Sequence, residues 1–349
     1  MTFVSHDKQI IRAGCYRLDK KPLTAHNKHN ELVSQRFLIM SLADYVVGIY
    51  HFLGDKAPKD ISLVAPKPRP INPWQSNGQA IVAKAKASED LRASVDKVLA
   101  LLGGLGMAIK RGDKVLVKPN FNSPDPYPGS TDLSFLRAII ERLLEAGAKV
   151  TIGESAGGAW RPTRKVFQKL GLFEFAHQLG VELIAFEDRV DDWVRVKING
   201  DYLSAVTMPR SAYEADKLVY LPSMKTHDLA RFSGALKLAV GFMHPGERRA
   251  MHLGDLGNKV AEINLCWQPD LIIMDGRKAF VSGGPAKGEL VEPGLMLASG
   301  AIVAIDAEAV KVLLSYRGRN RLTADPWQLP QIATALRHGL GARDYTLVE

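Results

Sequence analysis

Strand-like and helix-like segments alternate from residue 79 onward, and this alternation is the feature that most constrains the fold. Apolar residues recur on one helical face after the first strand, at Leu91, Val95 and Leu99. The strand-like segments are AIVAKA (80–85), KVLVKP (114–119), VTI (150–152) and VELIAF (181–186). Such alternation is typical of right-handed βαβ units. We therefore predict an α/β fold: a doubly wound, mainly parallel sheet with helices on both faces.

Two further elements are expected beyond this repeat. Residues 193–206 contain two strand-like runs around Asn199-Gly200, a dipeptide typical of tight hairpin turns. We predict a β-hairpin there, at the edge of the sheet. Residues 301–316, AIVAIDAEAVKVLLSY, are predicted to form a last strand followed by a helix, with Asp306 at the strand end. Asp306, like Asp275 after DLIIM, fits a site carboxylate or an ordinary cap equally well.

Composition changes along the chain and divides it into three predicted parts. An N-terminal extension with a proline-rich linker occupies residues 1–77, the α/β domain residues 78–318, and a C-terminal helical tail residues 319–349. At 349 residues and 46% hydrophobic, the chain can build full cores.

The charge balance favours acidic ligands. The formal net charge is +9, but the basic residues are scattered and aromatic residues make up only 7%. No zinc-finger or base-stacking signature is present in the sequence, so nucleic acid is not the expected partner. The expected partner is a small anionic ligand. The sequence does not indicate an oligomeric state.

Cysteine usage and the N-terminal segment bear on location. Cys15 and Cys266 are too few for an ordinary four-cysteine iron–sulfur cluster, and a reducing, cytoplasmic location is expected. The apolar run 37–53 is interrupted by Asp44 and His51, short of the roughly 20 apolar residues of a membrane span. A membrane-surface contact, or export through a degenerate signal, is the alternative for this segment.

The stretch 220–253 holds the main concentration of titratable side chains. Lys225 and His227 follow an apolar run, so they are expected at the carboxyl end of a buried strand, where α/β sheets place ligands. Ser233 is predicted to cap a short helix that carries Lys237 within the apolar run ALKLAVGF. Lys237 is then either a site residue or a lysine that extends to the surface. Arg248 and Arg249 fit a site residue or a solvated helix start equally well.

The earlier strand ends supply candidate substrate-binding residues. Lys118 and Asn120 end the second strand, and Ser130 and Thr131 precede the next helix, an arrangement suited to a carboxylate or phosphate. The same side chains could instead satisfy loop main chain or cap the helix.

Two more charged candidates follow the third strand. Glu154 is a candidate carboxylate or a partner for a lysine, and Arg161 is a candidate clamp for a substrate carboxylate. The segment GESAGG has neither the GxGxxG spacing nor the GK[ST] ending of the standard nucleotide motifs.

The ordered motifs identify a family resemblance. KPNFN, GSTD, GES, LPSMKTH, SGALKLAVG, MH, DLIIMDG, GGP and AIVAIDAEA resemble the domain of unknown function 362 family over roughly residues 79–315. Many members of that family carry a ferredoxin-like cysteine module and are labelled iron–sulfur proteins. This sequence has no such module, so the resemblance does not imply a cluster here.

A more distant resemblance concerns spacing. His227, Lys237 and His252 are arranged as in the nickel-pincer lactate racemase family. That resemblance implies a proton-transfer base at His227, a covalently held organometallic cofactor on Lys237, and a nickel ligand at His252. The second histidine base of that family is replaced here by Trp160, which cannot accept the proton, so symmetrical racemisation is not implied.

The sequence therefore predicts an enzyme that acts on a small carboxylate or phosphate by proton or hydride transfer, isomerase-like or oxidoreductase-like. His227, Lys237 and Lys225 are the expected catalytic residues. The cofactor is not determined by the sequence. The alternative is a non-catalytic ligand-binding or accessory protein that works with a separate iron–sulfur partner.

Overall fold

The computed structural model describes residues 42–58 and 60–349. The strands are β1 (Leu63–Val64), β2 (Gln75–Ser76), β3 (Gln79–Lys86), β4 (Lys114–Lys118), β5 (Lys149–Glu154), β6 (Glu182–Ala185), β7 (Trp193–Lys197), β8 (Ala205–Pro209), β9 (Lys217–Tyr220), β10 (Ser223–His227), β11 (Arg231–Ser233), β12 (Leu271–Gly283), β13 (Gly288–Val291), β14 (Leu295–Ser299) and β15 (Tyr345–Val348). The helices are α1 (Leu42–Gly54), α2 (Leu91–Leu102), α3 (Leu133–Glu145), α4 (Thr163–Leu170), α5 (Leu172–Leu179), α6 (Arg210–Tyr213), α7 (Ala235–Leu238), α8 (Pro245–Met251), α9 (Leu256–Ile263), α10 (Ile302–Leu314) and α11 (Pro330–Arg337).

The main sheet is doubly wound. Its strands lie in the order β15-β3-β14-β12-β9-β4-β5-β6, and the run from β12 to β6 is parallel. The chain proceeds outward from β4 through β5 to β6, then returns beside β4 and continues in the opposite direction through β9 to β12. The predicted fold class is confirmed.

Alternate side chains of the central strands enter cores on the two faces of the sheet. In β4, Val115 and Val117 pack with the apolar faces of α2 and α3, whereas Leu116 belongs to the core that contains α9 and α10. This pattern follows from the period-2 geometry of strands and explains why β4 is apolar at successive positions.

Capping residues fix where the first two helices of the repeat begin. The side chain of Asp90 accepts the N–H of Ala93 at 3.0 Å ahead of α2. Asp132 accepts the N–H of Phe135 at 2.9 Å ahead of α3. Such caps stabilise a helix by about 1 kcal/mol each.

The predicted hairpin forms, but its expected location was wrong. β7 and β8 pair with Lys197 opposite Ala205, and β1 adds to β7, which gives a three-stranded sheet separate from the main one. Asn199-Gly200 does not close a two-residue turn because the buried carboxylate of Glu262 binds the main-chain N–H groups of the loop, at residues 201, 202 and 203.

The prediction for residues 301–316 was also wrong. Helix α10 occupies this segment, and the strand, β14, precedes it. Every residue from Ile302 to Val310 is buried, so the continuous apolar run reflects a helix enclosed on all sides, which periodicity cannot distinguish from a strand. Asp306 consequently lies within a helix.

The predicted cap of the Lys237 helix needs a similar correction. Ser233 ends β11, and Gly234 precedes α7. The free N–H groups of α7 are bound by the carboxylate of Asp306 instead, because α10 packs against α7.

The chain segments outside the α/β repeat also contribute strands. β2 pairs with β3, and after residue 318 the chain adds α11 and then β15, which pairs in parallel with β3. The division of the chain at residues 77 and 318 stays a prediction. None of the helices within the described ranges is long and apolar enough to span a bilayer.

Candidate functional site

A cavity of about 500 Å³ opens at the carboxyl ends of β4 and β5, beside β10. It lies near the junction of β4 and β9, where the direction of strand order reverses, which is the usual ligand position in such sheets. Its polar and aromatic lining residues are Lys118, Asn120, Asn122, Glu154, Ser155, Trp160, His227, Lys237, Arg248 and His252.

Most of the predicted site residues meet in this cavity, although they come from distant parts of the sequence. Those brought together are Lys118, Asn120, Glu154, His227, Lys237 and His252, with Trp160 beside them. Their predicted roles remain predictions, because position alone does not assign a role.

The other four predicted residues do not line the cavity. The Lys225 ammonium donates to the carbonyl of Gly129 and, at 2.9 Å, to that of Pro285. Ser130 donates to the carbonyl of Ser123 at 2.6 Å. These two side chains therefore hold loops together outside the cavity lining.

The remaining two residues, Thr131 and Arg161, also join chain segments outside the cavity lining. Thr131 Oγ1 accepts the N–H of Asn120 at 2.8 Å. The guanidinium of Arg161 is buried and forms an ion pair with Asp55, which follows α1. Arg161 thus joins α1 to the turn that carries Trp160.

Lys118 and Glu154 form a buried ion pair at the floor of the cavity. Lys118 Nζ lies 2.5 Å from Glu154 Oε1, and both side chains are almost fully buried. Glu154 also accepts the N–H groups of Phe121 and Ser155 at 2.7 and 2.8 Å. Burial lowers the pKa of Lys118, and the adjacent carboxylate opposes this shift. Glu154, the only carboxylate among the described residues that line the cavity, is therefore already neutralised.

Lys237 lies on the short helix α7. Within the described ranges the ammonium group has no hydrogen-bond or ion-pair partner, and it lines the cavity. Burial, together with the nearby positive charges of Arg248 and Lys118, lowers the pKa of Lys237 to about 8. Lys237 therefore loses its proton at a lower pH than an ordinary lysine does.

Asp306 fixes the helix that presents Lys237. Its two carboxylate oxygens accept the N–H of Ala235 at 2.7 Å and that of Leu236 at 3.0 Å. Gly234 has to be glycine here, because a Cβ at that position would lie 2.3 Å from Asp306 Oδ1. Burial raises the pKa of Asp306 to about 7 even though both hydrogen bonds lower it.

His227 is held in a single neutral tautomer. Its Nδ1 accepts two main-chain N–H groups, from Leu229 and Ala230, at 3.1 Å each. Nε2 therefore carries the hydrogen and is the ring nitrogen left for a ligand. Burial, followed by the charges of Lys237 and Lys225, lowers the pKa of His227 to about 2.

Ser155 is a lining residue that the sequence analysis did not single out, and Arg248 is one whose place in the site it left open. Instead of lying in solvent, its guanidinium is buried and donates to the carbonyls of Met243, Ser155, Ala156 and Gly241 at 2.8–3.1 Å. Nothing in the local sequence separates Arg248 from Arg249, since the loop at residues 155–156 is remote in the chain. Burial lowers the pKa of Arg248 to about 10, so it remains charged at neutral pH.

The cavity fits an anchored organic group better than a metal held by protein alone. Lys237 offers a free amine, and His252 lies exposed at the cavity edge, where burial and Lys237 lower its pKa. In the described part of the chain, three metal-ligating side chains converge only at Asp201, Glu262 and His338, outside this cavity. A metal near His252 would need most of its ligands from a bound cofactor.

The sequence matches a known family. The sequence model of a family described as a domain of unknown function, DUF362, matches residues 115–311, more than half of the chain. The chain belongs to this family. The DUF362 region extends from β4 to α10 and so includes all ten polar and aromatic residues that line the cavity.

Two similar proteins accompany the family match. A thylakoid-associated protein of Synechocystis sp. is 29% identical over 260 residues, which cover 72% of this chain and 75% of that protein. The lactate racemase apoprotein from Thermoanaerobacterium thermosaccharolyticum is 16% identical at a TM-score of 0.31, over 58% of this chain. The match spans about half (51%) of the racemase chain.

Proposed function

We propose that this DUF362 protein is an enzyme that binds a small carboxylate or phosphate in the cavity and transfers a proton of the bound molecule. The observation that carries the proposal is the surplus of N–H donors around the cavity that have no partner among the described residues. Its lining residues supply the parts of a proton transfer themselves, whereas a hydride transfer would also use an electron acceptor bound beside Lys237.

The hydrogen-bond inventory supports an anionic ligand. Arg248 has five N–H groups and uses four of them on carbonyls, which leaves one. Lys118 uses two of its three, on Glu154 and Pro119. Lys237, which has no partner within the described ranges, offers three N–H groups when charged and two as the neutral amine. The hydroxyl of Ser155, buried at the cavity wall, likewise has no partner among the described residues.

Lys237 is the base in this proposal. A general base works best when its pKa lies near the operating pH, and the lowered pKa of Lys237, about 8, meets that condition. The neutral amine would remove a proton next to the carboxylate or carbonyl of the substrate. Activity should therefore rise with pH through about 8, as Lys237 loses its proton.

His227 takes the role of a donor in place of the base expected from the sequence. With its pKa lowered to about 2 and Nδ1 occupied, the neutral ring offers Nε2–H to a developing oxyanion. A preorganised donor of this kind stabilises a transition state by about 3–4 kcal/mol. Trp160 provides no second base, so proton removal and return would use the same face of the substrate.

Hydrogen–deuterium exchange tests the proposal without knowledge of the full reaction. Small 2-hydroxy and 2-oxo carboxylates, lactate and pyruvate among them, are incubated with the protein in D₂O, and loss of the Cα or methyl proton signal is followed by NMR. We expect protein-dependent exchange, and we expect Lys237→Met to reduce it roughly 10²- to 10⁴-fold. Lys97→Met, which alters an exposed lysine on α2, is the matched control.

The outcome discriminates between a proton-transfer enzyme and a non-catalytic ligand-binding protein. Exchange that persists at the normal rate in Lys237→Met would eliminate Lys237 as the base. Binding of phosphate or carboxylate by calorimetry without exchange of any substrate would favour the accessory, ligand-binding function instead.

For location, we propose a cytoplasmic protein that associates peripherally with a membrane. The support is the name of the Synechocystis relative, a thylakoid-associated protein. Fractionation of the native host tests this: the chain should sediment with membranes at low salt and be released by a carbonate wash. Recovery entirely in the unsedimented fraction at low salt would contradict it.

A further inference from the structure

Helix α1 presents an apolar stripe outward. Val46, Ile49, Tyr50 and Leu53 are spaced at i, i+3, i+4 and i+7, which places them on one face. Their exposed fractions are 58%, 37%, 74% and 61%. A surface helix of a globular protein normally turns such a stripe toward the core. In α1 the apolar stripe faces away from the core instead.

Contacts on the other face fix this orientation. Gly48 lies against the main chain of Ala159 so closely that a Cβ would be 1.9 Å from the carbonyl oxygen. Just after the helix, Asp55 pairs with Arg161, and Arg249 donates to the carbonyl of Leu53 at 3.4 Å. The helix cannot rotate its stripe inward without losing these contacts.

Charge and dimensions indicate what the stripe would contact. Residues 1–41, which precede α1, contain seven lysines and arginines against three acidic residues, and the whole chain carries a formal charge of +9. A short apolar helix next to a basic segment matches an interfacial helix on anionic lipid. The described part of α1 has 13 residues, fewer than the roughly 20 that a membrane-spanning helix needs.

We propose that α1 is a membrane-docking helix that inserts the side chains of Val46, Ile49, Tyr50 and Leu53 into the headgroup region of an anionic membrane. The inference rests on the proposed peripheral association and names its surface and lipid class. Because Gly48 contacts the turn at residues 158–160, which lines the cavity, docking places that cavity wall next to the lipid.

Vesicle flotation of the full chain tests the proposal. Phosphatidylcholine vesicles with and without phosphatidylglycerol are compared at low and high salt. Binding should require phosphatidylglycerol and weaken with salt. Replacement of three stripe residues together, Ile49→Gln, Tyr50→Gln and Leu53→Gln, should lower the partition coefficient by about tenfold or more.

A matched variant controls for general loss of apolar surface. Ile71→Gln with Val190→Gln removes side chains that are 91% and 75% exposed elsewhere, and its binding should equal wild type. Circular dichroism melting checks that both variants fold.

Three results would overturn the inference. Wild-type protein that floats with neither vesicle type would also defeat the proposed membrane association. Wild-type binding that the stripe variant retains would leave the association standing and refute the surface. Self-association in sedimentation velocity that the stripe variant abolishes would assign the stripe to contact with a second copy.

Discussion

Replacement of Asp306 by asparagine should change how stability depends on pH. Asp306 is fully buried, and its pKa is raised to about 7. In the unfolded chain the same carboxyl titrates near 4. Between these two values the folded protein holds a proton that the unfolded chain has lost, so wild-type stability falls as pH rises.

The size of the effect follows from the width of that interval. The slope approaches about 1.4 kcal/mol per pH unit, which amounts to roughly 2–3 kcal/mol between pH 5 and pH 7. Asparagine cannot ionise and loses this slope. It offers one acceptor in place of two to Ala235 and Leu236, which costs about 1–3 kcal/mol at low pH. We expect Asp306→Asn to be less stable than wild type at pH 5, and equal or more stable at pH 8.

Urea unfolding followed by tryptophan fluorescence at pH 5, 6, 7 and 8 measures the difference. Taking the difference between variant and wild type removes the contributions of other titrating groups, such as His227 and the buried lysines. Asp191→Asn, an exposed aspartate, is the control and should show no pH-dependent difference. A gap between Asp306→Asn and wild type that stays constant within about 0.5 kcal/mol across this range would refute the reasoning.

Two predictions concern the floor of the cavity. Glu154→Gln leaves the buried ammonium of Lys118 without its counter-charge and should lower the free energy of unfolding in urea by about 3–5 kcal/mol. The double variant that adds Lys118→Met should recover part of this loss. A loss under about 1 kcal/mol in the single variant would show that stability does not depend on the pair. Gly241→Ala places a Cβ 2.7 Å from Lys118 Nζ and should cost about 1–3 kcal/mol and weaken phosphate binding in calorimetry. Gly106→Ala, where a Cβ meets open space, is the control, and equal behaviour of the two alanine variants would contradict the clash.

The parts of the site that end strands were predictable from sequence. Lys118 and Glu154 end short strand-like segments within an alternating strand and helix pattern, and parallel strands bring their carboxyl ends to one edge of the sheet. Their direct ion pair was not predicted, although a lysine partner for Glu154 was among the expectations. The register of β4 and β5, with Val117 opposite Ile152, produces it.

The parts that depend on packing between distant segments were not predictable. Arg248 enters the site because four main-chain carbonyls from two loops surround its guanidinium. Every residue has such a carbonyl, so the sequence does not show which ones lie near an arginine. Asp306 supports Lys237 because two helices pack together, and the apolar run that contains it fits a strand as well as a buried helix.

The pairing of β4 with β9 has a consequence for how the protein folds. Val115 pairs with Lys217, so β4 and β9 meet across an intervening stretch of chain that contains four strands, β5 to β8, and four helices, α3 to α6. Contacts between residues so far apart in sequence form slowly. During synthesis, β4, β5 and β6 emerge with the edge of β4 unprotected until β9 follows. The cavity takes residues from both sides of this junction, so its lining is incomplete until β9 has paired with β4.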